Sequence, residues 1–230
     1  MTLRTALLAG ALVALLSPAV GPANATVACG TAGFYFDGTD PRGITHYGVS
    51  ANINTKVPGL CGSSNSDVSV WTMMANGTAG NGGYAQSGYG RHAGQSTVYI
   101  FSQYSKCDAC GFVSKEYSTP SGTVNYTQLY DFSAGQIVMQ AGGTSLARTN
   151  FDPAVWWSAP WVPEWEGEAH QYGDDMPGTS TSRTSFSNMT IKTCRSCGFT
   201  TPSGLSISSD STRYGYVWNT TNSNFSIWTK

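Results

Sequence analysis

Apolar and polar residues alternate in short runs along most of the chain, and β-branched or aromatic residues return about every ten to fifteen positions. Alternation with a period of two over such short stretches predicts β-strands that bury one face. The runs lie at Ile44–Ile53, Val68–Met74, Gly83–Tyr89, Thr97–Tyr104, Gly111–Tyr117 and Thr123–Leu129. They continue at Gln136–Gln140, Ala154–Glu168, Thr184–Lys192, Arg213–Trp218 and Phe225–Trp228. Turn chemistry separates them, as at Asn76-Gly77, Asn81-Gly82-Gly83, Pro120-Ser121-Gly122, Gly142-Gly143, Pro177-Gly178 and Pro202-Ser203-Gly204. Many short strands with regular turns predict an all-β sandwich or barrel.

The N-terminus breaks this pattern. Ala6 to Leu16 is an unbroken apolar run preceded by Arg4, and Ala23-Asn24-Ala25 supplies a small-x-small cleavage site. Residues 1–25 are therefore expected to be a cleaved signal peptide, with 26–230 forming one domain. The run is shorter than the roughly 20 residues a membrane helix needs, so no membrane attachment is expected after cleavage. Export makes the protein secreted and extracellular.

Composition narrows the partners. Charged residues are 11% of the chain, too few to clothe long soluble helices. Without Arg4, 11 basic residues face 13 acidic ones, a net charge of −2 with no basic cluster. That excludes the electrostatic footprint of a nucleic-acid binder.

Cys29, Cys61, Cys107, Cys110, Cys194 and Cys197 all follow the signal. An even set in an exported chain predicts disulfides, and the favoured pairing is Cys29–Cys61, Cys107–Cys110 and Cys194–Cys197. The rival is a zinc site built from the two C-x-x-C pairs. Their long separation is unlike zinc-ribbon spacing, so no metal and no cofactor are expected. The C-x-x-C-G-F stretches at Cys107 and Cys194 are each followed by T-P-S-G, which suggests two similar clipped hairpins.

The carboxylates are unevenly placed. Of four glutamates, three fall in Glu164-Trp165-Glu166-Gly167-Glu168. On a strand all three project from one face and Trp165 from the other. Such crowding is unfavourable and raises the pKa of at least one carboxyl; it marks either a site or a merely solvated face. H-E-x-x-H and G-x-S-x-G are absent, and His46, His92 and His170 lack ligand spacing. His170 shares the alternation of Glu168 and is a candidate neighbour.

Ser69-Val70-Trp71, Tyr84-Ala85-Gln86-Ser87-Gly88-Tyr89 and Glu164 to Glu168 together resemble the motifs of the glutamic peptidases. The pattern is similar to the eqolisin (scytalidoglutamic peptidase) family: a tryptophan strand, a Q-x-G strand and a later E-W-x-x-E. The segment Tyr47 to Ile53, the region Cys107 to Val113 and Glu164 to Glu168 also resemble the neprosin group, which carries glutamate where this chain has Gln86. The resemblance implies a jelly-roll (concanavalin-like) sandwich of two antiparallel sheets with a catalytic dyad, Gln86 and Glu168, on a concave face. Acids that eqolisins carry soon after the tryptophan and the glutamine are replaced here by Met73-Met74-Ala75 and Gly90-Arg91.

The chemistry is sensible without the family. A carboxylate at Glu168 can take a proton from water aimed at a peptide carbonyl. The Gln86 amide can donate to the developing oxyanion. Trp71, Tyr84, Glu164 and Glu166 are the expected substrate-binding residues, and Glu164 and Glu166 are expected to raise the pKa of Glu168. This predicts a monomeric acid endopeptidase acting on peptide or protein substrates. The bland counterparts are a strand amide bonding a neighbour at Gln86 and ordinary core packing for the many aromatics. The alternative function is a non-catalytic sandwich that binds carbohydrate or a cell-surface polymer.

Overall fold

A computed structural model describes residues 28–41, 43–77, 82–210, 212–218 and 223–230. The expected signal peptide and the start of the mature chain lie outside the described residues.

The chain runs through β1 (Ala32–Pro41), β2 (Gly48–Asn54), β3 (Asp67–Asn76), β4 (Tyr84–His92) and β5 (Tyr99–Ser105). After a 3-10 turn at Asp108–Cys110 come β6 (Val113–Glu116), β7 (Thr123–Asp131), β8 (Gln136–Ala141) and β9 (Thr144–Arg148). A single helical turn, α1 (Pro153–Trp156), precedes β10 (Trp161–Gln171), β11 (Gly178–Thr179) and β12 (Ser182–Lys192). β13 (Leu205–Ser209), β14 (Tyr214–Trp218) and β15 (Phe225–Thr229) close the order.

One sheet has the order β13-β1-β10-β3-β4-β5-β6. The other runs β14-β15-β12-β2-β7-β8-β9, with β11 on β12. Their strand pairs are antiparallel, giving the expected jelly-roll sandwich. Alternation divides each strand of the first sheet between two environments. Val68, Val70, Thr72 and Met74 of β3, Ala85, Ser87 and Tyr89 of β4, and Trp165 and Ala169 of β10 are buried on the side facing the second sheet. There they meet Val49, Ala51 and Ile53 of β2, Tyr126 of β7 and Phe186 of β12 in one core. The intervening residues of β3, β4 and β10 face outward.

A chain of polar groups inside this core pairs across the sandwich. Thr72 Oγ1 donates to Gln128 Oε1 at 2.7 Å, and Gln128 Nε2 donates to Ser87 Oγ at 2.5 Å. Ser87 Oγ donates onward to the Gln140 carbonyl at 3.2 Å. Thr72 and Ser87 face each other in the β3–β4 ladder, so one glutamine ties two central strands to the opposite sheet.

Four strands are not evident from the alternation: β1, β9, β11 and β13. In β1, the glycines and acids of Gly33, Asp37, Gly38 and Asp40 read as turn chemistry, yet pairing on both edges holds the segment extended. The run predicted at Ala154–Glu168 is corrected at its start. Asp152 caps a helical turn by accepting from the Ala154 backbone N–H at 2.9 Å, with Pro153 at the first helical position.

The three disulfides are Cys29–Cys61, Cys107–Cys110 and Cys194–Cys197, which removes the zinc alternative because each C-x-x-C closes on itself. Both local clips sit in strand reversals. The first joins β5 to β6, and the second lies between β12 and the Ile191–Thr200 bridge. The Cys29–Cys61 link closes a loop of 32 residues. Replacing both cysteines by serine is expected to cost about 3–4 kcal/mol of stability through loop entropy, read as a lower midpoint in urea unfolding.

Candidate active site

The outward face of the seven-stranded sheet is a cleft of about 850 Å³. Its lining comes from every strand of that sheet, from Ser208 on β13 to Ser114 and Glu116 on β6. All of the expected catalytic and substrate-binding residues line it: Gln86, Glu168, Trp71, Tyr84, Glu164 and Glu166. As predicted, the three glutamates share this face while Trp165 is wholly buried, its Nε1–H donating to the Ser50 carbonyl at 3.2 Å. Gly167 between them faces the core, where a Cβ would lie 2.5 Å from Ile227 Cδ1.

Register sets the spacing of the candidate dyad. Gln86 stands on one cross-strand row with Met73 and Glu164, and Glu168 stands on the row of Ser69 and Gly90. Trp71 occupies the row between, with Gly88 and Glu166. On a pleated sheet the two candidates are thus two strands apart, about 10 Å across, and four residues apart, about 13 Å along. Trp71 lies at the middle of that diagonal on β3, the central strand of the sheet. Gly88 makes room for it: a Cβ there would fall 2.8 Å from the Trp71 Cβ and 1.9 Å from the Val70 carbonyl oxygen. The Q-x-G spacing therefore has a packing cause.

Gln86 is 7% exposed, and its Nε2 donates to Gln103 Oε1 on β5 at 3.0 Å. The bond to a neighbour is the bland expectation for this residue, and it also orients the amide. The second Nε2 hydrogen is not used by that bond.

Glu168 is bonded to an imidazole as well as flanked by carboxylates. His170 Nε2 lies 2.8 Å from Glu168 Oε1, both on β10 two residues apart. Burial pushes the imidazole pKa down, but the bond to Glu168 and the charges of Glu168, Asp67 and Asp174 outweigh it, and the net direction is upward. Phe34 of β1 packs its edge on the ring at 5.0 Å.

Sequence reasoning did not single out Asp67, Gln103 or Gln128. Asp67 pairs with His92 in register and feels the charge of His170, and its pKa is raised to about 6, chiefly by burial. Tyr84 is pushed up to about 12 by burial and then by the Glu168 charge, so it is a neutral phenol facing the same space. At the β6 edge His92 Nε2 lies 3.1 Å from Glu116 Oε1. The aromatics divide: Trp157, Trp161, Tyr89 and Tyr104 are core, while Tyr84 and Tyr99 line the cleft.

The Asp67 shift has a definite sign. A carboxyl with a raised folded pKa holds its proton longer in the folded state, so stability falls as pH rises from about 4 to about 6. His170 acts in the same direction at higher pH, since its upward shift favours the folded state until the imidazole deprotonates. Asp67→Asn is therefore expected to raise stability at pH 7 by roughly 3 kcal/mol and to leave it unchanged near pH 3. Thermal melts at the two pH values read this directly.

No family model matches the chain, and no curated protein matches it. Solved structures do. A scytalido-glutamic peptidase holding a peptide-based transition-state analogue superposes with a TM-score of 0.60 at 15% identity, over 87% of this chain and all of that one. SCP-B, an eqolisin peptidase in complex with the tripeptide Ala-Ile-His, gives 0.57 at 15% identity over the same shares. The chain has the glutamic peptidase fold. Its cleft lies on a seven-stranded face of that fold, and Ser69, Trp71, Tyr84, Gln86, Glu164, Glu166 and Glu168 of the stretches that resemble eqolisin motifs line it.

Proposed function

We propose that this protein is a secreted glutamic-type endopeptidase active in acid, with Gln86 and Glu168 as the catalytic pair. The observation that carries this is the diagonal. One amide donor and one carboxylate flank Trp71 at the centre of a cleft that crosses seven strands. By register Gln86 and Glu168 stand about 16 Å apart on this diagonal, so their side chains reach inward from opposite sides to meet a peptide bond lying over Trp71, and chain runs out both ways.

Water sits on the Glu168 side. With Oε1 held by His170, Oε2 takes a proton from that water as its oxygen attacks the carbonyl carbon. The Gln86 N–H not given to Gln103 donates to the carbonyl oxygen as it becomes an oxyanion. The proton on Glu168 then passes to the leaving amine, and carboxylic acid and amine products separate. The disulfides suit an extracellular setting, and among the described residues no helix is long and apolar enough to cross a membrane.

The test is digestion of a denatured protein by the mature chain from pH 2 to 7, with chelator present, beside Glu168→Gln, Gln86→Ala, Glu164→Gln and Glu166→Gln. Cleavage in acid that is lost in the first two variants supports the pair. Glu164 shares the row of Gln86, so loss in Glu164→Gln with activity retained in Glu168→Gln moves the base to Glu164. Absence of cleavage by the wild type at every pH overturns the peptidase reading.

A further inference from the structure

The imidazole of His170 sits among groups from three strands and a turn. Its Nε2 lies 2.8 Å from Glu168 Oε1 on the same strand, and both side chains line the cleft. Phe34 of β1 sets its edge against the ring, with centroids 5.0 Å apart. The β3–β10 ladder pairs Val68 with Ala169, so Asp67 and His170 are the next residues on the two strands. Asp174, in the turn after β10, is the third acid whose charge reaches the ring.

Of these acids, Glu168 is the one bonded to the imidazole. Asp174 Oδ1 accepts from the Cys61 backbone N–H at 3.0 Å, and its Oδ2 from the Asp67 N–H at 3.2 Å. Both of its oxygens are therefore engaged elsewhere. Asp67 titrates at about 6, raised chiefly by burial, so in more acid solution it holds its proton. The other imidazole of the cleft, His92, stands 3.1 Å from Glu116 at the β6 edge. In acid the charge on His170 is thus left facing Glu168. The net upward shift of His170, won against burial, keeps the ring charged through that whole range.

We infer that His170 is the positioning residue of Glu168: as an imidazolium it fixes one carboxylate oxygen, leaves the other for the water, and lets the carboxylate work in acid. This rests on Glu168 as the base of the proposed reaction. A hydrogen bond donated by a cation favours the charged form of a carboxylate, and such bonds are stronger than neutral ones. Solvent screens part of the effect, since the side chain of His170 is 36% exposed and that of Glu168 14%. No proton leaves the ring. The proton of the attacking water goes to Oε2 and then to the leaving amine, while His170 keeps its own.

Two substitutions separate the parts of this role. His170→Gln keeps a neutral N–H near the place of Nε2, and His170→Leu keeps neither donor nor charge. For both variants and the wild type, kcat/KM on a denatured protein is measured from pH 2 to 7. His170→Leu is expected to lose about thirtyfold at pH 3 but about threefold at pH 6, so that the acid limb moves up by about one pH unit. His170→Gln should recover most of the loss at pH 6 and little of the loss at pH 3. A loss of the same size at every pH, or no loss in either variant, overturns the inference.

Nitrogen-15 spectra of the imidazoles give a readout that needs no turnover, and the chain has only 3 histidines to assign. At pH 5 the wild-type His170 ring should be charged, with an Nε2–H that exchanges with water about tenfold more slowly than in Glu168→Gln. A neutral ring at pH 5, or equal exchange in the two proteins, also overturns the inference. A wild type that cleaves nothing while the protected N–H is present removes the peptidase reading, and the positioning role with it, but leaves the His170–Glu168 pair standing.

Discussion

Glu168→Gln is expected to lower kcat on a denatured protein about a thousandfold in acid, within the range that loss of a general base produces, while the fold is retained. Glutamine keeps the size of the side chain and its place on β10 but cannot accept the proton of the attacking water. A second readout separates this from a merely structural effect. His170 owes its upward shift to Glu168 first among its favourable partners, so its imidazole, followed by NMR, should titrate at lower pH in the variant. Gln86→Ala removes an oxyanion donor and is expected to cost about a hundredfold or more in kcat, with the His170 titration unmoved. Full activity in Glu168→Gln together with the lowered His170 titration would mean that the carboxylate is present but is not the base.

The second large effect concerns stability. Gln128→Leu is expected to destabilise the fold by about 2–3 kcal/mol, because the buried Thr72 hydroxyl loses its partner and Ser87 Oγ keeps only the Gln140 carbonyl. Thr72 and Ser87 are fully buried, and Gln128 bonds both. Leucine fills much of the same volume, so the loss reports unpaired polar groups rather than a cavity. These two hydroxyls sit one residue from Met73 and Gln86 in the β3–β4 ladder. Activity should therefore fall at temperatures below the melting transition as well, as the strand that carries Gln86 loosens. Urea unfolding and kcat measured on the same preparation read the two effects.

Much of this was legible in the chain. Alternation located most of the strands, because a sheet with one buried face forces a period of two onto the sequence. It also set which way each side chain of Glu164 to Glu168 points. Where it failed in this sheet, at β1 between two neighbours and at the edge strand β13, ladder pairing holds residues extended that include glycines, serines and acids, which elsewhere mean turns. β1 mattered for the site, since it supplies Phe34, Phe36 and Asp40.

The partners of the catalytic candidates were legible only in part. His170 follows Glu168 by two residues, so alternation was enough to suggest the contact. Gln103 and Asp67 are distant in sequence from Gln86 and Glu168 and carry no local signal. They meet because antiparallel registers stack Gln103 on Gln86, and Asp67 beside His170.

By itself the sequence determined the class of fold, that its six cysteines pair with one another, and the single face shared by three glutamates, because each depends on short-range periodicity or on a closed count of cysteines. Tertiary structure alone decided that Gln86 and Glu168 flank Trp71 on a diagonal, and that seven acids line one cleft. Those facts depend on strand order and register, which are set by long-range pairing and packing of the two sheets and leave no mark on any one stretch of chain.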